Sequence, residues 1–343
     1  MPSNEPLPQS LPTHLPDAPL WIGHTAAMRR VASDIVAIAG AEKASALILG
    51  ESGTGKELVA GAIHVRSRRA SRPFIQLNCG GIPPKLAEAE LFGSEPGAFT
   101  DAHFKRGLVE HANMGTLFLD EIGEMPMALQ PTLLRFVQTQ SFRHLGGERE
   151  LMANVRILAA TLRDLDAAIA VGAFRADLLY RLNMFVITLP PLRERLVDLP
   201  DLVAACLQER ARALQVRTVP TCDDDALALL AAYAWPGNIR QLRNVLERAL
   251  ILSDGALISP RHLPDYLLTP YATLPEAGPS LAAQIAEMRL PVDGVPLPDL
   301  VRLLEDRLIA QAMDRMAYNQ SRAAPLLGLT RDQLRQRLKR DSM

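Results

Sequence analysis

Ala46-Leu47-Ile48-Leu49-Gly50-Glu51-Ser52-Gly53-Thr54-Gly55-Lys56 decides how this chain folds. Four apolar residues read as a buried strand, three glycines as a loop, and Glu57 to His64 as the helix that follows. Strand, glycine loop and helix in that order form a phosphate-binding turn, because backbone N–H groups of the loop and the helix N-terminus attract phosphate oxygens. Lys56 closes the loop and is placed to reach β and γ phosphates. Glu57 stands where Ser or Thr usually meets the magnesium ion.

Further along, Gly115-Thr116-Leu117-Phe118-Leu119-Asp120-Glu121 is an apolar strand ending in two carboxylates. That pattern predicts one carboxylate toward magnesium and the next toward an attacking water. Between the two halves lies Gly97-Ala98-Phe99-Thr100-Asp101-Ala102, a loop with a Phe at its centre. Such an insertion implies that hydrolysis moves something. Phe74-Ile75-Gln76-Leu77 and Val155-Arg156-Ile157-Leu158-Ala159-Ala160 are two further apolar runs. Runs of this kind, alternating with helical stretches, predict an α/β layer on a parallel sheet over residues 20–190. Residues 191–268, including the helical pattern from Asn238 to Leu252, predict a smaller all-helical subdomain. Six prolines between Thr269 and Pro298 mark a linker, 269–297, with one short helix at Leu281 to Met288.

Composition narrows the class. The 343 residues suffice for two or three domains, and 48% hydrophobic with 22% charged residues is ordinary for a globular chain. No apolar run approaches the roughly 20 residues that span a bilayer, so no membrane partner is expected. Residues 1–19 read as a flexible Pro-rich tail without a signal peptide's basic and apolar regions, which predicts a cytoplasmic protein. Cys79, Cys206 and Cys222 are scattered without metal-ligand spacing, consistent with a reducing compartment. The formal net charge is only -1, yet Tyr318 to Met343 holds six basic residues against two acidic ones. This local asymmetry points to a nucleic-acid partner at the C-terminal end.

These residues resemble the AAA+ domain of sigma-54-dependent transcriptional activators, the bacterial enhancer-binding proteins. The resemblance runs from about Trp21 to Leu252. Its motifs include Ile22-Gly23, the loop Gly50 to Glu57, Asn78-Cys79, Glu90-Leu91-Phe92-Gly93, Gly97 to Thr100 and Gly115 to Glu121. Phe174-Arg175-Ala176-Asp177-Leu178, Tyr180-Arg181-Leu182-Asn183, Leu189 to Arg195 and Trp235-Pro236-Gly237-Asn238-Ile239-Arg240 complete them. In that family Glu57 is the expected residue.

The resemblance implies an AAA+ P-loop ATPase with a parallel sheet and a helical lid, using ATP and Mg2+. It implies that Gly50, Glu51, Ser52, Gly53, Thr54, Gly55, Lys56 and Glu57 bind the nucleotide, and that Asp120 holds magnesium while Glu121 polarises water. Asn78 looks like the partner that restrains Glu121, Thr161 occupies the first sensor position, and Arg240 matches the second. Arg175 and Arg181 look like arginine fingers reaching a neighbouring subunit's site, which implies a ring, expected to be a hexamer. A local pairing of these arginines with carboxylates such as Asp177 is the alternative. Gly97 to Ala102, with Phe99 and Thr100 foremost, are the residues expected to touch sigma-54.

Two positions depart from the family pattern. Leu162 replaces an Asn after the first-sensor Thr, removing a polar reporter. Asp101 replaces a glycine, adding a charge where positive φ is easily reached. Together they favour an alternative function, a related DNA-binding regulator or repressor that uses ATP mainly for assembly.

The C-terminal residues 298–343 look like a Fis-like all-α helix-turn-helix. Gly328 makes the turn, Thr330 caps the second helix, and Arg331, Gln333, Arg335, Gln336, Arg337 and Lys339 decorate it, with Ser321 and Arg322 on the first. The second helix is expected to enter the major groove of double-stranded DNA at an enhancer-like upstream site. Pro325 interrupts the first helix. Leu300, Leu303, Leu304, Leu308, Met313 and Met316 form an apolar stripe expected to pair two chains as a dimer. Too few residues precede the ATPase for a regulatory domain, so control is expected from expression level, from a regulatory protein acting in trans, or from Asp101.

Overall fold

The computed structural model describes residues 23–80, 83–98, 103–215, 219–254, 256–268, 305–309, 312–313 and 334–335. The expected tail, linker and sigma-54 contacts Phe99 to Ala102 lie outside the described residues. So do most of the expected DNA contacts: Ser321, Arg322, Thr330, Arg331, Gln333, Gln336, Arg337 and Lys339. The chain divides into two compact units, Met1–Tyr271 and Ala272–Met343.

In the first unit the strands are Ala46–Leu49 (β1), Phe74–Asn78 (β2), Gly93–Ser94 (β3), Lys105–Arg106 (β4), Thr116–Asp120 (β5), Ser141–Phe142 (β6), Leu151–Met152 (β7), Arg156–Thr161 (β8) and Phe185–Thr188 (β9). The helices are Ala26–Gly40 (α1), Lys56–Val65 (α2), Pro84–Phe92 (α3), Leu108–His111 (α4), Gln130–Thr139 (α5), Leu165–Ala170 (α6), Ala176–Leu182 (α7), Leu199–Ala213 (α8), Asp224–Ala232 (α9), Asn238–Leu252 (α10) and Asp265–Leu268 (α11). Five strands form one all-parallel sheet in the order β2-β5-β8-β1-β9. The four strands expected from the sequence are all in it. The fifth, β9, was not anticipated: it is four residues long at the sheet edge, and its side chains are only partly covered.

Strand periodicity divides the apolar residues between two cores. Leu47, Leu117, Leu119, Ile157 and Ala159 face one side, against Phe92 of α3, Leu133 and Phe136 of α5, and Leu178 of α7. Ala46, Ile48, Phe118, Leu158 and Ala160 face the other, against Val31 and Ile35 of α1 and Val59 and Ile63 of α2. With both faces covered, the edge at the carboxyl ends of the strands is left for chemistry. A third core, built around Trp235, Leu242 and Leu246, holds the helical lid of α8 to α11 together.

The strands β3 and β4 form an antiparallel hairpin, and residues 95–104 connect them in sequence. At its base a Cβ on Gly93, whose φ is +88°, would lie 2.6 Å from the Lys105 carbonyl oxygen, and one on Gly107 would lie 2.4 Å from the Phe92 carbonyl carbon. His144, which follows β6, fastens the base from the side. Its Nδ1 meets Glu95 Oε1 at 2.8 Å and its Nε2 meets Glu110 Oε1 at 2.9 Å. In the second unit, residues 305–309, 312–313 and 334–335 are helical, with Ile309, Met313 and Leu334 buried and Arg335 exposed.

Burial by itself would lower the His144 pKa, but the hydrogen bonds to Glu95 and Glu110 outweigh it and hold the imidazole pKa above its ordinary value. A raised histidine pKa stabilises the fold fully below the unfolded value near 6.5, and the contribution fades as pH rises through the folded value. His144→Gln should therefore cost about 1–3 kcal/mol at pH 6 and clearly less at pH 9, read as unfolding midpoints in denaturant. Equal losses at both pH values would deny the charged imidazole its part.

Candidate nucleotide site

Parallel register places the site. Leu49 lies opposite Thr161, Leu119 opposite Ala159 and Asn78 opposite Asp120. The loop after β1, the carboxylates after β5 and the end of β8 therefore share one edge. There a cavity of about 460 Å³ is lined by Ser52, Gly53, Gly55, Lys56, Glu57 and Leu58 from the loop and α2, and by Asp120 and Glu121. The lid closes it with Arg210 of α8 and with Ile239, Arg240, Arg243 and Asn244 of α10. Arg240, Arg243 and Asn244 share one helix face by their spacing.

Lys56 is buried, and its Nζ lies 2.9 Å from the Gly50 carbonyl and 3.3 Å from Glu121 Oε1. Glu121 sits at φ 51°, a left-handed conformation that is costly for a side-chain-bearing residue. Its Oε2 accepts the Leu162 N–H at 3.1 Å. Burial raises the pKa of Asp120, Glu121 adds to the rise, and Lys56 opposes it. A carboxylate held in this way is short of positive charge, which suits it to a cation. Behind it, the Cys79 N–H donates to the Asp120 carbonyl at 2.9 Å, while burial pushes the Cys79 thiol up to about 12, so it stays protonated and unreactive. Glu57 is exposed and accepts from Gln76 Nε2 at 3.0 Å.

Other expected site residues lie elsewhere. The Glu51 carboxylate is taken by Arg193 and Asn238, and buried Thr54 donates to the Glu51 carbonyl. Neither residue lines the cavity, nor does Gly50. Asn78 and Glu121 are not hydrogen-bonded to each other: Asn78 Oδ1 accepts the Gly80 N–H at 2.8 Å, a local turn favoured by a short side chain. Thr161 is fully buried, and its hydroxyl accepts from the Arg163 N–H. Arg175 forms a two-pronged pair with Asp177, at 3.0 and 2.7 Å, and Arg181 is exposed at the end of α7. Neither arginine lines this chain's own cavity. Gly97 and Ala98 lie in the hairpin tip, where Ala98 packs against Gly146.

Sequence reasoning missed the lid residues Arg210, Arg243 and Asn244, and gave no role to Arg193 or Asn238. The spacing of Arg243 and Asn244 from Arg240 was the available signal for two of them.

A glycine loop after β1 of a parallel sheet, an acidic pair at the end of β5 with β8 between the two strands, and a lid arginine define a P-loop nucleotide-binding protein of the AAA+ type. The family described as "Sigma-54 interaction domain" matches residues 21–188, "AAA+ ATPase lid domain" matches 193–278, and "Bacterial regulatory protein, Fis family" matches 300–340. The "Regulatory protein AtoC" of Escherichia coli is 44% identical over 313 residues, 91% of this chain and 65% of that protein. The "Nif-specific regulatory protein" of Azotobacter vinelandii is 44% identical over 318 residues, 92% of this chain and 58% of that protein. The crystal structure of NtrX from Brucella abortus in complex with ATP superposes with a TM-score of 0.66 at 34% identity, covering 93% of this chain and 68% of that one. The chain belongs to the family of bacterial regulatory proteins built on the sigma-54 interaction domain, an AAA+ lid and a Fis-type helix-turn-helix. It spans about two thirds or less of the length of the curated relatives named here.

Gly53 is where loop and lid touch most closely. Its φ is +78°, and a Cβ there would meet the Gly237 carbonyl oxygen at 2.4 Å. Gly53→Ala should lower stability by about 1–3 kcal/mol, followed in urea by the emission of buried Trp235 in a Trp21→Phe background. An unchanged midpoint would mean that the loop parts from the lid without cost.

Proposed function

We propose that this protein is a DNA-bound transcriptional activator that hydrolyses ATP to remodel sigma-54 RNA polymerase holoenzyme and open promoters in the cytoplasm. The observation that carries this reading is one cavity uniting Lys56, Asp120, Glu121 and Arg240 in a chain whose residues 21–188 match the sigma-54 interaction domain.

The residues present suit a magnesium nucleotide. The loop N–H groups and Lys56 bind the phosphates, and Asp120 is the carboxylate that would hold Mg2+. Bound magnesium supplies positive charge against the phosphate oxygens. Glu121 orients the attacking water and accepts its proton. To do so it must give up Lys56, which turns to the phosphates instead. Arg240 brings lid charge to the transferring phosphoryl group. Arg175 and Arg181 act across a subunit boundary, in a ring that we take to be a hexamer, once Arg175 exchanges Asp177 for phosphate. Phe99 and Thr100, between β3 and β4 in the sequence, contact sigma-54. The C-terminal residues, including Arg335, grip double-stranded DNA as a dimer, and a regulatory protein acting in trans sets when the ring forms.

One observation favours the alternative, a regulator that keeps ATP for assembly. Leu162 is 53% exposed and gives the site only its backbone N–H, to Glu121. Purified protein with sigma-54 holoenzyme and hydrolysable ATP separates the two: open complexes support activation, whereas hydrolysis and DNA binding without opening support the alternative.

Phe99→Ala should abolish promoter opening and spare hydrolysis, and an undiminished yield of open complex would refute the loop's role. Arg175→Ala and Arg181→Ala should each cut ATP turnover by about 100-fold or more. In the unaltered protein, turnover per subunit should climb with protein concentration. A constant value down to concentrations shown to be monomeric would refute catalysis in trans.

A further inference from the structure

The loop 51–53 meets the lid beside the cavity, which Ser52 and Gly53 line and Glu51, Arg193 and Asn238 do not. Arg193 Nη1 and Nη2 donate to Glu51 Oε2 and Oε1 at 2.9 and 2.7 Å. Asn238, fully buried at the N-terminus of α10, divides its amide three ways. Its Nδ2 donates to Glu51 Oε2 and to the Ser52 carbonyl, each at 3.0 Å, and its Oδ1 accepts the Leu192 N–H at 2.7 Å. The Ile239 and Arg240 N–H groups both donate to the Gly53 carbonyl, at 3.0 and 3.3 Å, and Arg240 Nη1 donates to Ser52 Oγ at 3.0 Å. Three consecutive loop residues thus hold two lid segments together, and Arg240 is attached at both its backbone and its head.

The chemistry of Glu51 fits this task. A carboxylate offers acceptor sites enough for the fork of Arg193 and for Asn238 as well, which a neutral amide cannot match. The Arg193–Glu51 pair is about half exposed, with side chains 45% and 42% accessible, so it adds little to stability in its own right. Its value lies in direction. Arg193 pulls the Glu51 pKa below the ordinary carboxylate value, so the charge persists across the neutral range.

We propose that Glu51 is a positioning residue and not a nucleotide ligand: held by Arg193 and Asn238, it fixes where Arg240 stands over the phosphate loop, so that phosphate binding and lid angle change together. The proposal rests on the ATP reading of the site and gives that site its coupling. When the loop N–H groups draw onto phosphate, residues 51–53 carry the shift to both lid segments at once.

The test is binding of methylanthraniloyl-ATP to the full chain, with steady-state ATP turnover alongside. Glu51→Ala and Arg193→Ala should each weaken binding by about tenfold, and the double variant by about tenfold as well, because both break one contact. Neither should weaken binding further in an Arg240→Ala background. The value of kcat/KM should fall with binding, but no further than in Arg240→Ala, because both changes act through the same lid group. Glu51→Gln, which keeps one acceptor oxygen, should lose less binding than Glu51→Ala, a graded loss that a collapsed fold would not give. Multiplying effects of Glu51 and Arg193, or a Glu51 effect that survives in the Arg240→Ala background, would overturn the proposal and make Glu51 a direct ligand. An Arg193→Ala protein that binds like the unaltered one would overturn it too. If the unaltered chain bound no nucleotide, the ATP reading would fall with it, whereas failure to open promoters with these couplings intact would leave the positioning role standing.

Discussion

Register between buried parallel strands is the constraint on which the rest depends. Leu49 opposite Thr161 and Leu119 opposite Ala159 fix where the chain leaves the sheet, so the phosphate loop and the acidic pair emerge at one edge. A slip of one residue would turn Leu47, Leu117 and Ile157 from one core to the other and exchange them with Ile48, Phe118 and Leu158. The packing of two helical layers thereby protects the geometry of the site. The sheet supplies position, and the lid supplies most of the positive charge around the cavity.

The polar groups of the site satisfy one another. Lys56 bonds the loop's own carbonyls and Glu121, and Glu121 takes the Leu162 N–H. Each of these groups has a partner that can be exchanged for phosphate or water, so the resting arrangement avoids buried unpaired charge. Asp120 is the exception: burial and its neighbour Glu121 both work against its charge.

Local pattern made much of this legible. The phosphate loop, the strand ending in Asp120-Glu121 and the helix Asn238–Leu252 are each written in consecutive residues with a definite period. The edge strand Phe185–Thr188 was harder to see, since only Ile187 of its four residues is fully buried and its pattern is too short to stand out. The contacts of Glu51 were not legible at all. Arg193 lies 142 residues away and Asn238 187, and nothing near Glu51 in the sequence distinguishes a carboxylate facing phosphate from one facing a lid. Asn78 shows the opposite case: its carbonyl oxygen accepts the N–H of Gly80, two residues on, a local turn written in adjacent residues. For Arg175, Asp177 was a visible local competitor, and the two are paired in the structure.

The hairpin of β3 and β4 is packed differently at its neck and at Gly97. At the neck, backbone lies against backbone at Gly93 and Gly107 with no room for a single methyl group, and His144 braces it. At Gly97 a Cβ would meet nothing within 4 Å. A joint packed so tightly cannot bend, because bending needs free volume that is not there. Whatever force reaches this hairpin must turn it as one stiff arm about its attachment to α3 and α4. A small rotation at the neck then carries Gly97 and Ala98 further than it carries Gly93 and Gly107, in proportion to their distance from the pivot.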